Sequence, residues 1–168
     1  KFFAIALVLA LLVGVLAACG KDEGASGKHH VEIDIRDYGT VAVELDADSA
    51  PITVANFLKL SKSGFYDGLA WCRIVKDYVI QGGSPDNDIM TDSDWHIKGE
   101  FLENGVDNPL KHVRGAISMA RDDAHDTADT QFFVVHKDAA KLDGRYAAFG
   151  EMISGFSVLD KIADEPTY

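Results

Sequence analysis

The chain has 168 residues, enough for one domain with its own hydrophobic core. It carries 16 Lys and Arg against 27 Asp and Glu, which gives a formal net charge of −11. A surface this acidic repels phosphate backbones, so nucleic acid is not expected as a partner. The two cysteines lie in different surroundings: Cys19 follows an apolar leader and Cys72 lies inside a predicted strand. No disulfide framework is therefore indicated.

The first 18 residues predict a signal peptide. Lys1 precedes an uninterrupted run of apolar residues and glycine, which is typical of a secretory signal and lies outside the fold. Residues 16–20, Leu-Ala-Ala-Cys-Gly, resemble the lipobox of bacterial lipoproteins. The resemblance implies that Cys19 carries a lipid anchor and that the protein is extracytoplasmic, attached to a bacterial membrane. The alternative is an uncleaved membrane helix, for which about 17 to 25 apolar residues are needed. Residues 19–28 are charged and rich in Gly and Ser, and predict a flexible tether.

The next segments predict a hairpin followed by a helix. Residues 31–35 and 40–45 alternate between apolar and polar side chains, and turn-forming residues separate them. An amphipathic helix is then predicted from Pro51, which suits a first helical turn, to a point just before Gly64.

Residues 71–84 combine strand-forming side chains with two polar ones. Residues 71–75 and 78–81 both have an extended pattern, and a polar break separates them. If these two short strands pair, Arg73 and Gln81 come close together.

The rest of the chain predicts further short strands and one more helix. The strands are expected near residues 95–101, 118–120, 132–135 and 147–153. The helix is suggested by Val158, Leu159 and Ile162 and ends before Pro166. This pattern predicts a mainly β protein, and by itself it leaves both a barrel and a sandwich open.

Three blocks of the sequence, residues 71–84, 115–135 and 142–150, resemble the cyclophilin-type peptidyl-prolyl isomerases in content and order. The resemblance implies one cyclophilin-like domain over residues 29–168. Its fold would be a closed antiparallel β-barrel of about eight strands capped by two α-helices. Family members usually finish with a strand that pairs with the first. The sequence stops at Tyr168, which leaves open a missing C-terminal strand or an incomplete barrel.

The resemblance implies cis-trans isomerisation of X-Pro bonds, which assists the folding of exported proteins and requires no cofactor or metal. Arg73 would donate to the nitrogen of the twisted amide, and Gln81 would hold a peptide carbonyl or orient Arg73. Substrates would be proline-containing peptides and unfolded exported proteins, and the protein is expected to be a monomer. The positions matched to substrate binding are Tyr78, Val79, Ala120, Arg121, Gln131, Phe133, Leu142 and Tyr146. Spacing adds that Gln131 and Phe133 share one strand face while Phe132 faces the core.

Several residues depart from the pattern of the family. Cys72 replaces a His beside the arginine, Tyr78 replaces Phe, and Arg121 and Tyr146 replace Asn and His. Lys141 stands where cyclosporin-sensitive members carry Trp. Weak cyclosporin binding is therefore implied.

Other functions find less support in the residues. Asp86, Asp88, Asp92 and Asp94 lie close together, but a calcium-binding EF-hand loop would require residue types that the sequence lacks. Cys72 lacks the partners of a cysteine nucleophile. The alternative function is a non-catalytic cyclophilin-like module on the cell surface that binds proline-containing peptides or a partner protein.

Overall fold

The computed structural model describes residues 24–91 and 93–166, so the predicted signal peptide and Cys19 lie outside the described residues. Seven strands form one antiparallel sheet with the order β1-β2-β7-β5-β6-β4-β3. The strands are β1 Lys28–Ile35, β2 Gly39–Asp46, β3 Arg73–Val75, β4 Val79–Gly82, β5 Ala116–Met119, β6 Phe132–Val135 and β7 Ala148–Ser154. The helices are α1 Pro51–Lys62 and α2 Phe156–Ala163, with short 3₁₀ helices at Leu102–Asn104 and Ala140–Leu142.

The predicted hairpin and first helix are confirmed. Strands β1 and β2 pair in register from Lys28 opposite Asp46 to Ile35 opposite Gly39. Helix α1 begins at Pro51, whose fixed φ suits the first turn and whose missing N–H costs the helix nothing there. Both elements depend on local signals, which the sequence displays directly.

The central strands are covered on both faces. Every residue of β5 and β6 is buried. One face of the sheet packs on the main core, where Phe57 of α1 meets Phe132 edge-on with ring centroids 5.2 Å apart. The opposite face carries a second, smaller apolar cluster that includes Phe133. Alternation along β6 thus separates two neighbouring phenylalanines into two environments, as predicted.

The strand predicted near residues 95–101 is wrong. Within the described chain this segment makes a single β-bridge, from Ile97 to Ala128. Side chains hold the remainder: the backbone N–H of Gly99 donates to the Asp126 carboxylate, and Glu100 binds the start of α1. These side-chain contacts replace the strand ladder that the apolar residues suggested.

The closed barrel of about eight strands is not confirmed. Strands β1 and β3 are the two edges of the sheet, and no hydrogen bond joins them in the described residues. A groove of about 1010 Å³ runs between β1 and the segment before β3, lined by Ile33, Tyr66 and Trp71 among others. Neither helix in the described range has the length and hydrophobicity to span a bilayer.

Candidate active site

A row of side chains crosses three adjacent strands on the face of the second cluster. Arg73 on β3 lies opposite Gln81 on β4, and Gln81 lies opposite Phe133 on β6. Residues directly opposed on antiparallel strands project from the same face of a sheet. The guanidinium, the amide and the phenyl ring are therefore neighbours. The alternate residues of these strands belong to or pack on the main core, and they are Ile74, Ile80 and Val134.

Hydrogen bonds connect this row to the loop after β4. Nη1 of Arg73 donates to Oε1 of Gln81 at 3.4 Å, and Nε2 of Gln81 donates to Oε1 of Gln131 at 3.0 Å. Nε2 of Gln131 then donates to the backbone carbonyl of Thr91 at 3.1 Å. Each of the two amide groups is therefore oriented by the hydrogen bonds on either side of it. In the described structure the guanidinium uses a single donor, so most of its five N–H groups are available to a ligand.

The second cluster forms an apolar pocket beside the row. Phe133 is its central aromatic residue, and the edge of Tyr146 approaches it with ring centroids 5.9 Å apart. The other buried members are Val79, Ala116, Val135, Ala139 and Leu142, and the half-buried residues packed on them are Tyr78, Ala120 and Tyr146. This combination of an apolar surface and a nearby cationic donor suits a small hydrophobic ring attached to a peptide bond.

Beneath Phe133 lies a polar triplet that the sequence analysis missed, in which His112 and Ser118 are buried and Asp143 is partly exposed. The imidazole of His112 is parallel to the Phe133 ring at 6.0 Å between centroids. Its Nδ1 lies 3.0 Å from Asp143 Oδ1 and its Nε2 lies 3.0 Å from Ser118 Oγ. Ser118 is also directly opposite Phe133 across the β5–β6 pair. No sequence motif marks these three residues, because the fold alone brings positions 112, 118 and 143 together.

The electrostatics of this triplet favour a neutral imidazole. Burial lowers the pKa of His112, and the Asp143 carboxylate only partly offsets this effect. Partial burial raises the pKa of Asp143, but hydrogen bonds from the backbone and ring of His112 outweigh it, so the net shift is downward. The arrangement that fits is Nδ1–H donating to the carboxylate while Nε2 accepts from the serine hydroxyl.

Arg121 lies at the other end of the pocket, above Tyr146. Its guanidinium carbon is 4.7 Å from the centroid of the Tyr146 ring and 5.0 Å from that of Phe101. It donates to backbone carbonyls, among them that of Arg145 at 2.8 Å and that of Asp122 at 2.7 Å. An adjacent cavity of about 720 Å³ is lined by Arg121, Arg145 and Tyr146, together with residues 122–125.

All of the predicted isomerase site residues within the described range come together in one connected region. Arg73, Gln81 and Gln131 form the hydrogen-bonded chain. Ala120 joins this chain to the apolar pocket, since its backbone N–H donates to the carbonyl of Gln131 at 3.0 Å. The pocket residues are Tyr78, Val79, Phe133, Leu142 and Tyr146, with Arg121 stacked on the last of them.

The structure gives no support to a cysteine nucleophile or to a metal site in the described residues. Burial raises the pKa of the Cys72 thiol, which disfavours a thiolate nucleophile, and its Sγ lies 3.5 Å from the carbonyl of Gln81. The Asp86 carboxylate accepts hydrogen bonds from the Thr91 hydroxyl and the Asp88 backbone. No group of three or more metal-binding side chains occurs among residues 24–91 and 93–166.

Comparison with known proteins identifies the family of the chain. Residues 30–168 match the family model described as cyclophilin type peptidyl-prolyl cis-trans isomerase/CLD. A peptidyl-prolyl cis-trans isomerase of Helicobacter pylori is 43% identical over 126 residues, which is 74% of each chain. Peptidyl-prolyl cis-trans isomerase B of Bacillus subtilis is 40% identical over 121 residues, which is 72% of this chain and 81% of its own.

A solved structure supports the same assignment at the level of the fold. The cyclophilin type peptidyl-prolyl cis-trans isomerase of Cryptosporidium parvum matches with a TM-score of 0.77 and 30% identity, over 84% of this chain and 88% of its own. A second crystal structure of that protein, obtained in the presence of the dipeptide Ala-Pro, matches with a TM-score of 0.75. The chain belongs to the cyclophilin-type peptidyl-prolyl cis-trans isomerases, and its function is the cis-trans isomerisation of X-Pro bonds.

Proposed function

We propose that the row formed by Arg73, Gln81 and Phe133 is the catalytic centre of this isomerase. The barrier to rotation of a peptide bond is about 18–20 kcal/mol, because conjugation gives the C–N bond partial double-bond character. Rotation is accelerated by groups that bind the twisted amide more tightly than either planar isomer. No nucleophile, metal or cofactor is required for this step.

Arg73 supplies the interaction that appears only in the twisted state. When the amide twists, its nitrogen regains a lone pair and becomes a hydrogen-bond acceptor. A guanidinium is permanently charged, and the Arg73 guanidinium has unused N–H donors within the described residues. Its donation to that nitrogen stabilises the broken conjugation and leaves the planar isomers unaffected.

The apolar pocket holds the proline ring while the rest of the substrate turns. Phe133, Leu142 and Val79 contact the ring, and Tyr78 and Tyr146 border it. Gln81 and Gln131 bind the substrate backbone, and the hydrogen bond between them presets their orientation. Ala120 and Arg121 extend the contact along the peptide.

The observation that carries this proposal is the strand register. Arg73 is opposite Gln81, and Gln81 is opposite Phe133, so the cationic donor and the pocket floor project from one face. Had the register of β4 slipped by one residue, Gln81 would point into the core instead.

The test is the rate of isomerisation of a proline tetrapeptide by the wild type and an Arg73→Ala variant. We expect kcat/KM to fall by about two orders of magnitude, the usual effect of removing a preorganised electrostatic donor. Arg73→Lys keeps the charge but loses the planar guanidinium, so its kcat/KM should lie between those of the wild type and Arg73→Ala. Arg36→Ala is the matched control, since Arg36 is an exposed arginine near the β1–β2 turn, and it should retain full activity. Equal rates for Arg73→Ala and wild type would remove Arg73 from the mechanism.

We propose that the isomerase acts on exported proteins from a lipid anchor on Cys19. The proposal is supported by the apolar leader, by the lipobox-like sequence at residues 16–20, and by the polar tether that follows. Two or three acyl chains hold a protein firmly on a membrane, whereas one chain binds reversibly. Clients would be unfolded exported chains that contain proline.

Three finer properties are also proposed. Cyclosporin binds weakly, because Lys141 occupies the position at which sensitive family members carry Trp. The protein is a monomer, because a net charge of −11 makes its copies repel each other. The barrel closes with about eight strands, a proposal supported only by the resemblance to the cyclophilin family.

A further inference from the structure

A lysine lies at the rim of the apolar pocket. Lys141 is exposed and belongs to the 3₁₀ helix Ala140–Leu142, immediately before the buried pocket residue Leu142. Its Nζ lies 4.2 Å from the centroid of the Tyr78 ring. Tyr78 itself packs on the pocket cluster. The cation–π contact therefore holds an ammonium group beside the apolar pocket.

This ammonium has no acidic partner among the described residues. The lysines that form ion pairs there are Lys28, Lys76 and Lys111. The nearest carboxylate in sequence is that of Asp143, which is engaged by the ring and backbone of His112 and by Lys111. Because contact with a ring face uses no hydrogen-bond acceptor, the N–H donors of Lys141 are available to a carboxylate of a ligand.

Two further cationic side chains, Arg73 and Arg121, border the pocket without an ion-pair partner among the described residues. Arg73 is bonded to a neutral amide, and the guanidinium of Arg121 is bonded to backbone carbonyls. Nε of Arg145 lies 3.5 Å from Oε1 of Glu103. Both side chains are more than half exposed, so solvent screens this ion pair. The exposed acids Asp122 and Asp123 line the neighbouring cavity, to which Lys141 does not contribute. Although the chain has a net charge of −11, it therefore carries cationic groups at this pocket that no carboxylate of the described residues pairs with.

We propose that Lys141 determines substrate specificity by favouring chains with Asp or Glu next to the isomerised proline. The inference rests on the proposed function, in which the cluster around Phe133 binds the proline ring. An exposed ion pair of this kind changes kcat/KM by a few-fold rather than by orders of magnitude. It also weakens with salt, because the charges are in contact with solvent.

The test uses two sets of proline tetrapeptides that differ at one residue. In one set the residue before proline is Glu, Ala or Lys, and in the other the residue after proline varies in the same way. The readout is the ratio of kcat/KM for the Glu peptide to that for the Ala peptide, at low and high salt. The variants are Lys141→Met, which removes the charge, and Lys141→Glu, which reverses it. Lys59→Glu on the exposed face of α1 is the control for net charge.

For the wild type we expect kcat/KM for the Glu peptide to exceed that for the Ala peptide about threefold in at least one set. In that set, kcat/KM for the Lys peptide should be below that for the Ala peptide. Lys141→Met should bring the ratio close to one, Lys141→Glu should invert it, and Lys59→Glu should leave it as in the wild type. High salt should reduce the wild-type ratio. If the wild type isomerises all peptides in both sets equally well, or if Lys141→Glu keeps the wild-type order, the inference is wrong while the pocket assignment stands. If the wild type does not isomerise even the Ala peptides, the pocket assignment fails, and this inference fails with it.

Discussion

Helix α1 depends on a carboxylate supplied from a distant part of the chain. Its N-cap residue is Ala50, which has no side chain able to bind the free N–H groups of the first turn. Glu100, only 3% exposed, takes that role. Its Oε1 accepts from the N–H of Ile52 at 3.0 Å, and its Oε2 accepts from the N–H of Thr53 at 2.8 Å and from its hydroxyl at 2.7 Å. The negative charge also lies at the positive end of the helix dipole.

We predict that Glu100→Ala lowers the free energy of unfolding by about 3 kcal/mol. The variant leaves the N–H and hydroxyl of the buried Thr53 without their partner, and each unsatisfied buried group costs about 1–3 kcal/mol. Water can reach the half-buried N–H of Ile52, so its loss adds little. Glu100→Gln should cost less than Glu100→Ala, because the amide oxygen can still accept from the N–H and hydroxyl of Thr53 while the amide nitrogen faces only the N–H of Ile52.

The assay is urea denaturation followed by circular dichroism, in which the midpoint should fall while the m-value stays constant. Glu103→Ala is the control: this exposed glutamate lies three residues further along, and its ion pair to Arg145 is 3.5 Å long and solvent-screened. It should change the free energy by less than about 0.5 kcal/mol. A Glu100→Ala protein as stable as the control would show that Glu100 does not cap the helix.

Two further predictions concern His112 and Cys19. Because burial lowers the pKa of His112, the unfolded chain binds a proton first as the pH falls, and stability should decrease from about pH 6.5 downward through the folded-state pKa. In urea denaturation, His112→Asn should reduce the loss of unfolding free energy between pH 7.5 and pH 5.5. The control His96→Asn, at an exposed residue, should leave that loss as in the wild type. An equal loss in all three proteins would contradict a buried, neutral imidazole. For the lipid anchor, Cys19→Ser should move the protein from the membrane fraction to the soluble fraction of cells, and retention in the membrane fraction would favour the uncleaved helix instead.

The elements that were predicted correctly are those defined by nearby residues. The β1–β2 hairpin, helix α1 from Pro51, and the β3–β4 pair all follow from alternation, turn residues or helical spacing. The segment near residues 95–101 was predicted wrongly, because its apolar residues are anchored by distant partners. Asp126 binds the backbone of Gly99, and Ala128 bridges to Ile97, and neither partner is visible in a local window of sequence.

The pocket was predicted from residue order, whereas the residues that support it depend on the fold. Three blocks of sequence in family order led to the prediction of a proline pocket around Arg73 and Phe133. They did not reveal the His112 triplet beneath the pocket, because its members come from two loops and a strand. Nor did they reveal that Lys141 stacks on Tyr78, since these two residues meet only after the sheet has formed.

The sequence by itself determined the polarity of each strand face, the first helix and the family to which the chain belongs. These properties follow from side-chain periodicity and from residue types at fixed spacings, which tertiary structure does not alter. Only the tertiary structure decided which strands pair beyond the two hairpins, and therefore which distant polar groups become partners. The alignment of Arg73 with Phe133 and the cap that Glu100 places on α1 are of this second kind, because pairing between distant residues has no local cause.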